Sequence, residues 1–196
     1  MATGGWLAGY LDGVGDDEAA DRLRRILAQL RSPDVDYVSV KLSSIAASLS
    51  VLAFEDTVER LAPRLASVYR AARGSDPAKF VNLDMEEYRD LHLTMATFRR
   101  VLGPGGDERL SDLEAGIVLQ AYLSDSLPAL AELTTWARQR VAAGGAAIKV
   151  RLVKGANLAM ECVDAELHGW SQAPYLTKAD VDGAAAWLQS AIPFQN

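Results

Sequence analysis

Asp36-Tyr-Val-Ser-Val-Lys41 is the first of four short segments that share one composition. The other three are Lys79-Phe-Val-Asn-Leu-Asp84, Gly116-Ile-Val-Leu-Gln-Ala121 and Ile148-Lys-Val-Arg-Leu-Val153. Each segment is rich in Val, Ile, Phe or Tyr and is bounded by turn-forming residues, which predicts a β-strand. The last three carry the longer apolar runs that are typical of buried strands in a parallel sheet.

Apolar residues at helical spacing lie between and around these strands. They predict helices over residues 16–31, 55–73, 87–102 and 127–141, and a further helix follows the last strand over 157–169. Pro63 lies inside the second helix and predicts a kink or a restarted helix there. Alternating strands and helices indicate crossover units on a parallel sheet, so the fold class is α/β. The pattern leaves open whether the sheet is doubly wound or an arc of an eight-stranded barrel.

The composition describes an ordinary globular protein of one domain or a piece of a larger one. The chain has 196 residues, of which 49% are hydrophobic and 23% charged, so disorder is excluded as its main state. The net charge of -6 lacks the basic surface that nucleic acids and anionic membranes require. We therefore expect no nucleic acid partner.

Cysteine and histidine are too scarce for disulfides or a soft-metal site. Cys162 is the single cysteine, and neither His92 nor His168 has a second ligand three or four residues further on, so we expect no bound metal. A reducing, cytoplasmic location is the default for such a chain. The sequence also lacks a signal peptide pattern and an apolar run of transmembrane length.

Polar side chains lie at or near the carboxyl ends of the predicted strands. Lys41, Asp84 and Gln120 occupy such positions in three strands, and Arg151 and Lys154 lie in and just after the fourth. Ligands bind at this edge in barrels and in open parallel sheets. One such residue alone is more often a structural ion pair, but the set together favours a binding site. Because a partly buried cation needs an anionic partner, the lysine and arginine predict a carboxylate such as Asp84 or an anionic ligand.

Two glycine-containing turns have different interpretations. Gly103-Pro-Gly-Gly106 follows a helix and lacks the Lys-Ser/Thr ending of a phosphate-binding loop, so we interpret it as a surface turn. Lys154-Gly-Ala-Asn157 lies where a strand passes into a helix. The amides of this second turn are suited to face a phosphate or a flavin.

Four motifs carry a resemblance to a known family. They are Tyr37-Val-Ser-Val-Lys-Leu-Ser-Ser44, Phe80-Val-Asn-Leu-Asp-Met-Glu-Glu87, Gly116-Ile-Val-Leu-Gln-Ala-Tyr122 and Val150-Arg-Leu-Val-Lys-Gly-Ala156. In this order they resemble the proline dehydrogenase family, including the proline dehydrogenase domain of bacterial bifunctional proline utilization proteins. The resemblance covers residues 34–182. It implies a distorted (βα)8 barrel that binds FAD above the strand ends and oxidises L-proline to 1-pyrroline-5-carboxylate.

The resemblance also implies roles for individual residues. Lys41 matches the lysine that binds the substrate carboxylate, and Asp84 matches the acidic residue that pairs with it. Gln120 matches the glutamine at the pyrimidine edge of the flavin, and Arg151 matches the arginine near the reactive flavin nitrogen. Asp84 and Arg151 are thus the expected catalytic residues. The remaining positions that line the cofactor correspond to Met85, Lys154, Gly155 and Ala156.

The resemblance further implies a domain organisation. Residues 1–33 form a helical lead-in, 34–182 a partial barrel of about four βα units, and 183–196 a divergent tail. The four strands correspond to strands two to five of the family barrel. We therefore expect a fragment with weak or no activity alone, and the resemblance to bifunctional proteins implies an aldehyde dehydrogenase module in the parent protein.

Two other functions stay open at this point. A half barrel leaves unpaired sheet edges, which suit a noncatalytic remnant that acts as an association module or forms a homo-oligomer. A different barrel enzyme would instead bind a phosphorylated substrate at the turn that begins with Lys154.

Overall fold

The computed structural model describes residues 4–107, 110–155, 157–170, 175 and 177–191. Within these ranges the chain forms four strands, named β1 (Tyr37–Val40), β2 (Phe80–Leu83), β3 (Ala115–Gln120) and β4 (Ile148–Val153). The α-helices of the same ranges are α1 (Gly4–Leu30), α2 (Leu42–Ile45), α3 (Phe54–Arg73), α4 (Leu91–Leu102), α5 (Ser126–Ala142), α6 (Leu158–His168) and α7 (Lys178–Ala191). A 3₁₀-helix over Tyr88–Asp90 leads into α4.

The strands form one sheet in the order β1-β2-β3-β4, and every neighbouring pair is parallel. A helix lies between each strand and the next, so the predicted α/β class is confirmed. The four predicted strands each agree with an observed strand to within one residue at either end. Four parallel strands that alternate with helices agree with the predicted four-unit part of a (βα)8 barrel.

The hydrophobic core lies on one face of the sheet. Alternate residues of β1 and β2 point into it, and they pack against buried positions of α3 and α4. The buried strand residues on this face are Val38, Val40, Val81, Leu83, Ala115, Ile117 and Leu119, and Val118 joins the same cluster from the opposite face of β3. The other face carries polar side chains, so the two sides of the sheet differ in chemistry.

β4 is more exposed than its apolar composition predicts. All six residues of β3 are buried, whereas β4 alternates between half-buried and exposed positions up to Arg151. The reason is topological, because in the described part of the chain β4 pairs with β3 along one edge alone.

The helices show three departures from the sequence predictions. α3 is one helix through Pro63, which lies on its exposed side, where water can satisfy the carbonyl that the proline leaves unpaired. α1 begins at Gly4, well before the predicted start at residue 16. α7 occupies much of the segment that the sequence analysis treats as a tail, and it buries Val181, Ala185 and Leu188. None of the helices in the described ranges is long and apolar enough to cross a membrane.

Candidate active site

The strand register brings the predicted site residues to one level of the sheet. Val40 pairs with Leu83, Leu83 pairs with Ile117, and Val118 pairs with Arg151. Lys41 and Asp84 each lie one residue beyond such a pair, which sets them at the height of Val118 and Arg151. Their side chains point to the face opposite the core because successive residues of a strand alternate.

An ion pair spans β3 at this level. The Arg151 guanidinium donates to Asp84, with an Nη2–Oδ1 distance of 2.5 Å. The second oxygen of Asp84 accepts a hydrogen bond from the Ser39 hydroxyl at 2.9 Å. The Asp84 side chain is 20% exposed and that of Arg151 is 49% exposed, so the pair is accessible to a ligand. The Asp84 carboxylate therefore joins β2 to β4, two strands that are not neighbours in the sheet.

Lys41 has a different partner from the one expected. Its ammonium lies 3.3 Å from Oε1 of Glu86, and the Ser43 hydroxyl donates to the other oxygen of Glu86. The expected Lys41–Asp84 pair is wrong, because Arg151 and Ser39 already occupy the Asp84 carboxylate. Glu86 lies two residues after Asp84 and can therefore follow it on the same side of the chain. That spacing is the signal by which the sequence could have identified Glu86.

Gln120 ends β3 and is buried. Its side-chain amide nitrogen donates to the Glu86 carbonyl at 3.1 Å and to the Tyr122 hydroxyl at 2.8 Å. Its carbonyl oxygen Oε1 is buried without a hydrogen-bond partner in the described residues. Burial raises the pKa of Tyr122 to about 12, although contacts from Asn157 and Gln120 act in the opposite direction. Tyr122 therefore stays neutral and can accept the bond from Gln120.

The turn after β4 lies beside α7. Lys154 forms an ion pair with Asp182 at 2.9 Å, and bonds from Lys178 and Lys154 lower the pKa of Asp182 to about 2. Apart from Gly155 and its two chain neighbours, no described residue has an atom within 4 Å of the place where a Cβ of Gly155 would be, so the space over this glycine is open. Ala156, which is also expected to contact the cofactor, lies outside the described residues.

Met85 lies between the two acidic residues of the β2 loop, but its side chain points the other way. It is 6% exposed and belongs to the hydrophobic core. The main chain of Met85 is therefore the part that can line a ligand. Lys41, Asp84, Glu86, Gln120 and Arg151 together present two cations, two carboxylates and an unpaired amide oxygen on one side of the sheet, an arrangement suited to a small zwitterion and a polar ring system.

Two further residues, to which the sequence assigns no individual role, join this site to α6. The Asn157 side chain donates to the Glu86 carbonyl at 3.1 Å. The Glu161 carboxylate is 3% exposed and accepts a hydrogen bond from the Tyr88 backbone N–H at 2.7 Å. Burial raises the pKa of Glu161, and the bond from Tyr88 offsets part of that rise.

Comparison with known proteins gives a family and a set of solved relatives. The family model for proline dehydrogenase matches residues 7–184, which extends the resemblance toward the amino terminus by nearly the whole of α1. No curated protein matches the chain.

Solved structures of proline utilization A are similar to this chain. The protein from Corynebacterium freiburgense is 51% identical over 90% of the chain, with a TM-score of 0.84. The Bdellovibrio bacteriovorus protein, solved after inactivation by N-propargylglycine, is 29% identical over 88% of the chain, with a TM-score of 0.74. A Bradyrhizobium japonicum mutant, at 21% identity and a TM-score of 0.75, shows the shared fold.

The chain spans 18% of the length of the Corynebacterium freiburgense protein and 19% of the Bdellovibrio bacteriovorus protein. The similarity therefore concerns one part of these longer proteins. The family match includes all four strands and the polar residues at their ends. This chain belongs to the proline dehydrogenase family.

Proposed function

We propose that this chain carries part of the active site of an FAD-dependent proline dehydrogenase, which oxidises L-proline to 1-pyrroline-5-carboxylate in proline catabolism to glutamate. The observation that carries the proposal is the Asp84–Arg151 ion pair, which lies on the same face and level of the sheet as Lys41. Gln120 lies further along β3 on that face. The family and the solved relatives support the same reaction class.

The residues present fit a flavin. The unpaired Oε1 of Gln120 needs a donor, and the imide N–H of an isoalloxazine ring is one. The open space over Gly155 leaves room for a ligand beside the main chain. The positions that would hold the cofactor are Met85 through its main chain, Gln120, Arg151, Lys154, Gly155 and Ala156. When bound, FAD supplies the acceptor for the hydride that leaves proline.

Lys41 would bind the carboxylate of proline. Its ammonium has three donors, and the Glu86 carboxylate accounts for one contact at 3.3 Å. Half of the Lys41 side chain is exposed, so its other donors can reach a second carboxylate. Glu86 would thus keep the long lysine side chain near one position while the substrate binds.

Arg151 would stabilise the negative charge that the hydride carries from the substrate to its acceptor. A fixed cation lowers the barrier when it interacts more strongly with the transition state than with the ground state. Asp84 fixes the guanidinium through one Nη, and the other N–H groups stay available to a ligand. Asp84 therefore acts by orienting Arg151.

A graft tests this function. In the graft, residues 7–184 of this chain replace the aligned segment of the Corynebacterium freiburgense protein, and L-proline-dependent dye reduction is measured before and after the exchange. We expect activity to persist and to require Lys41, Gln120 and Arg151. Bound FAD with no proline-dependent reduction in the graft would contradict the proposal.

The isolated chain should bind FAD poorly and turn over proline slowly or not at all, because four strands leave the barrel face open. A purified chain that contains stoichiometric flavin and reduces a dye with proline would overturn this expectation. We also infer a reducing, cytoplasmic location from the single cysteine. From the similarity to proline utilization A we infer an aldehyde dehydrogenase module as a partner within the parent protein.

The edge at β4 favours a second candidate function, that of an association module. A groove of about 580 Å³ runs between α5 and β4 and is lined by Leu133, Ala137, Val141, Ile148 and Val150. In the described residues β4 pairs with β3 alone, so another chain could add to its unpaired edge. Visible absorbance of bound flavin distinguishes the enzyme from a noncatalytic module.

A further inference from the structure

The amide of Gln120 is held in one orientation. Its nitrogen donates to the Glu86 carbonyl at 3.1 Å and to the Tyr122 hydroxyl at 2.8 Å, which uses both of its N–H groups. A flipped amide would set its own oxygen against the Glu86 carbonyl, and two acceptors repel each other. The observed orientation leaves Oε1 as an unpaired acceptor.

The Glu86 carbonyl is itself held from α6. The Asn157 side chain donates to it at 3.1 Å, so this carbonyl accepts two bonds, one from Asn157 and one from Gln120. The same Asn157 nitrogen lies 3.4 Å from Oε1 of Glu161. Glu161 also accepts the Tyr88 N–H at 2.7 Å. A continuous set of hydrogen bonds therefore runs from α6 through the β2 loop to the end of β3.

We propose that Asn157 and Glu161 are positioning residues for the flavin ring. They hold the Glu86 carbonyl, which together with Tyr122 orients Gln120 so that its oxygen accepts from the imide N–H of the ring. The inference rests on the proposed function, because it assumes that Gln120 meets a flavin.

The burial of Glu161 is the physical reason to assign it a positioning role. Glu161 is 3% exposed. Burying its carboxylate costs free energy, and an apolar residue at this contact between α6 and the β2 loop would avoid that cost. The carboxylate supplies an acceptor for Tyr88 and for Asn157, which an apolar residue cannot do. The Glu161 carboxylate therefore fixes the hydrogen-bond geometry between α6 and the β2 loop.

The first experiment uses the full chain without flavin. The side-chain amide resonance of Gln120, identified by its loss in Gln120→Leu, is compared by NMR in the wild type, Asn157→Ala and Glu161→Ala. We expect the resonance to shift or broaden in both variants and the Tyr88 amide to exchange at least tenfold faster in Glu161→Ala. Glu166→Ala is the matched control, because Glu166 is an exposed residue of the same helix. An unchanged Gln120 resonance in both variants would overturn the inference.

The second experiment measures flavin recognition in the flavin-free graft, with the wild-type or the variant segment, well below the melting temperature of each protein. Affinities for riboflavin and for its N3-methyl derivative, which lacks the imide N–H, are determined by fluorescence quenching. The wild type should prefer riboflavin by about tenfold, as expected for one buried hydrogen bond. Asn157→Ala and Glu161→Ala should lose that preference, and Glu161→Gln, which keeps an acceptor, should retain most of it.

If the substitutions weaken the binding of both flavins equally, Asn157 and Glu161 have a merely structural role, and the inference is contradicted. A graft with the wild-type segment that binds neither flavin would overturn the proposed function, and the flavin role of the pair with it. The Gln120 resonance still tests the hydrogen-bond network in that event, so the two failures are distinguishable.

Discussion

At the scale of single residues, the Asp84 carboxylate decides how Arg151 faces the site. It accepts from Arg151 at 2.5 Å and from Ser39 at 2.9 Å, so both of its oxygens are engaged. This contact through Nη2 leaves the other N–H groups of the planar guanidinium directed away from Asp84, a geometry that the point charge of a lysine cannot reproduce. The orientation of Arg151 is therefore a property of β1, β2 and β4 together.

Replacing Arg151 should remove the main electrostatic contribution to the reaction. We expect Arg151→Met in the graft to lower the rate of flavin reduction by proline by about 10²-fold, with Arg151→Lys in between. Arg73→Met is the control, because Arg73 also pairs with an aspartate, Asp112, in residues that line the amino-terminal end of the sheet. Stopped-flow absorbance measures the rate. Equal rates for Arg151→Met and Arg73→Met would be inconsistent with the role assigned to Arg151.

Glu161 gives a prediction about pH. Burial raises its pKa in the folded chain, so the folded state binds its proton more tightly than the unfolded state does. Its contribution to stability is then fully present below the unfolded pKa and is lost as pH rises through the folded pKa. The free energy of unfolding of the wild type minus that of Glu161→Gln should fall as the pH rises above the unfolded pKa of a glutamate, about 4.3. Denaturant titrations at several pH values check this, and a difference that rises with pH would refute it.

At the scale of elements, α5 anchors the amino-terminal end of the sheet through one buried arginine. Arg140 is 3% exposed and donates to the carbonyl groups of Leu102, Leu110, Ser111, Leu113 and Ala146. These carbonyls belong to the end of α4 and to the segments before β3 and β4. One side chain therefore joins three connections, and burial lowers its pKa.

We expect Arg140→Met to destabilise the fold by about 3 kcal/mol or more, because it leaves several buried carbonyls without donors. Arg138→Met should change the free energy of unfolding by less than about 0.5 kcal/mol, since Arg138 lies exposed on the same helix. Urea denaturation of both variants tests the comparison. A loss below 1 kcal/mol for Arg140→Met would show that water replaces the lost bonds.

The elements also show how far the sequence predicts the structure. The strands were predictable because runs such as Phe80-Val-Asn-Leu83 combine β-forming residues with flanking turns. The partner of Lys41 was not predictable, because it depends on the register of β1 against β2 and on the competition between Arg151 and Lys41 for Asp84. The family motifs end before most of α7 and do not predict it, although Val181, Ala185 and Leu188 have the spacing of one buried helix face.

At the scale of the whole molecule, the sheet is covered by helices on one face and presents its polar residues on the other. The polar face carries the site, and β4 is an edge strand of the sheet in the described part of the chain. Apolar groups of α5 and β4 line the groove at this edge, and Val141 is 49% exposed there. Exposed apolar surface next to an unpaired strand promotes association.

We therefore expect the isolated chain to self-associate in a concentration-dependent manner. Val141→Glu should weaken the association at least tenfold, because a charge in the groove opposes burial. Val163→Glu is the control, since Val163 is 47% exposed on α6 and lies outside the groove. Sedimentation velocity over a range of concentrations compares the two. If both substitutions weaken the self-association equally, the contact between chains does not lie in the groove.

The measurement that tests the central claim most directly is the visible absorbance of bound FAD in the graft, recorded before and after anaerobic addition of L-proline. We predict that proline removes the oxidised flavin spectrum when Lys41, Gln120 and Arg151 are intact, and that Arg151→Met slows this loss about 10²-fold. A bound flavin whose spectrum proline leaves unchanged would contradict the claim that these strand ends form a proline-oxidising site.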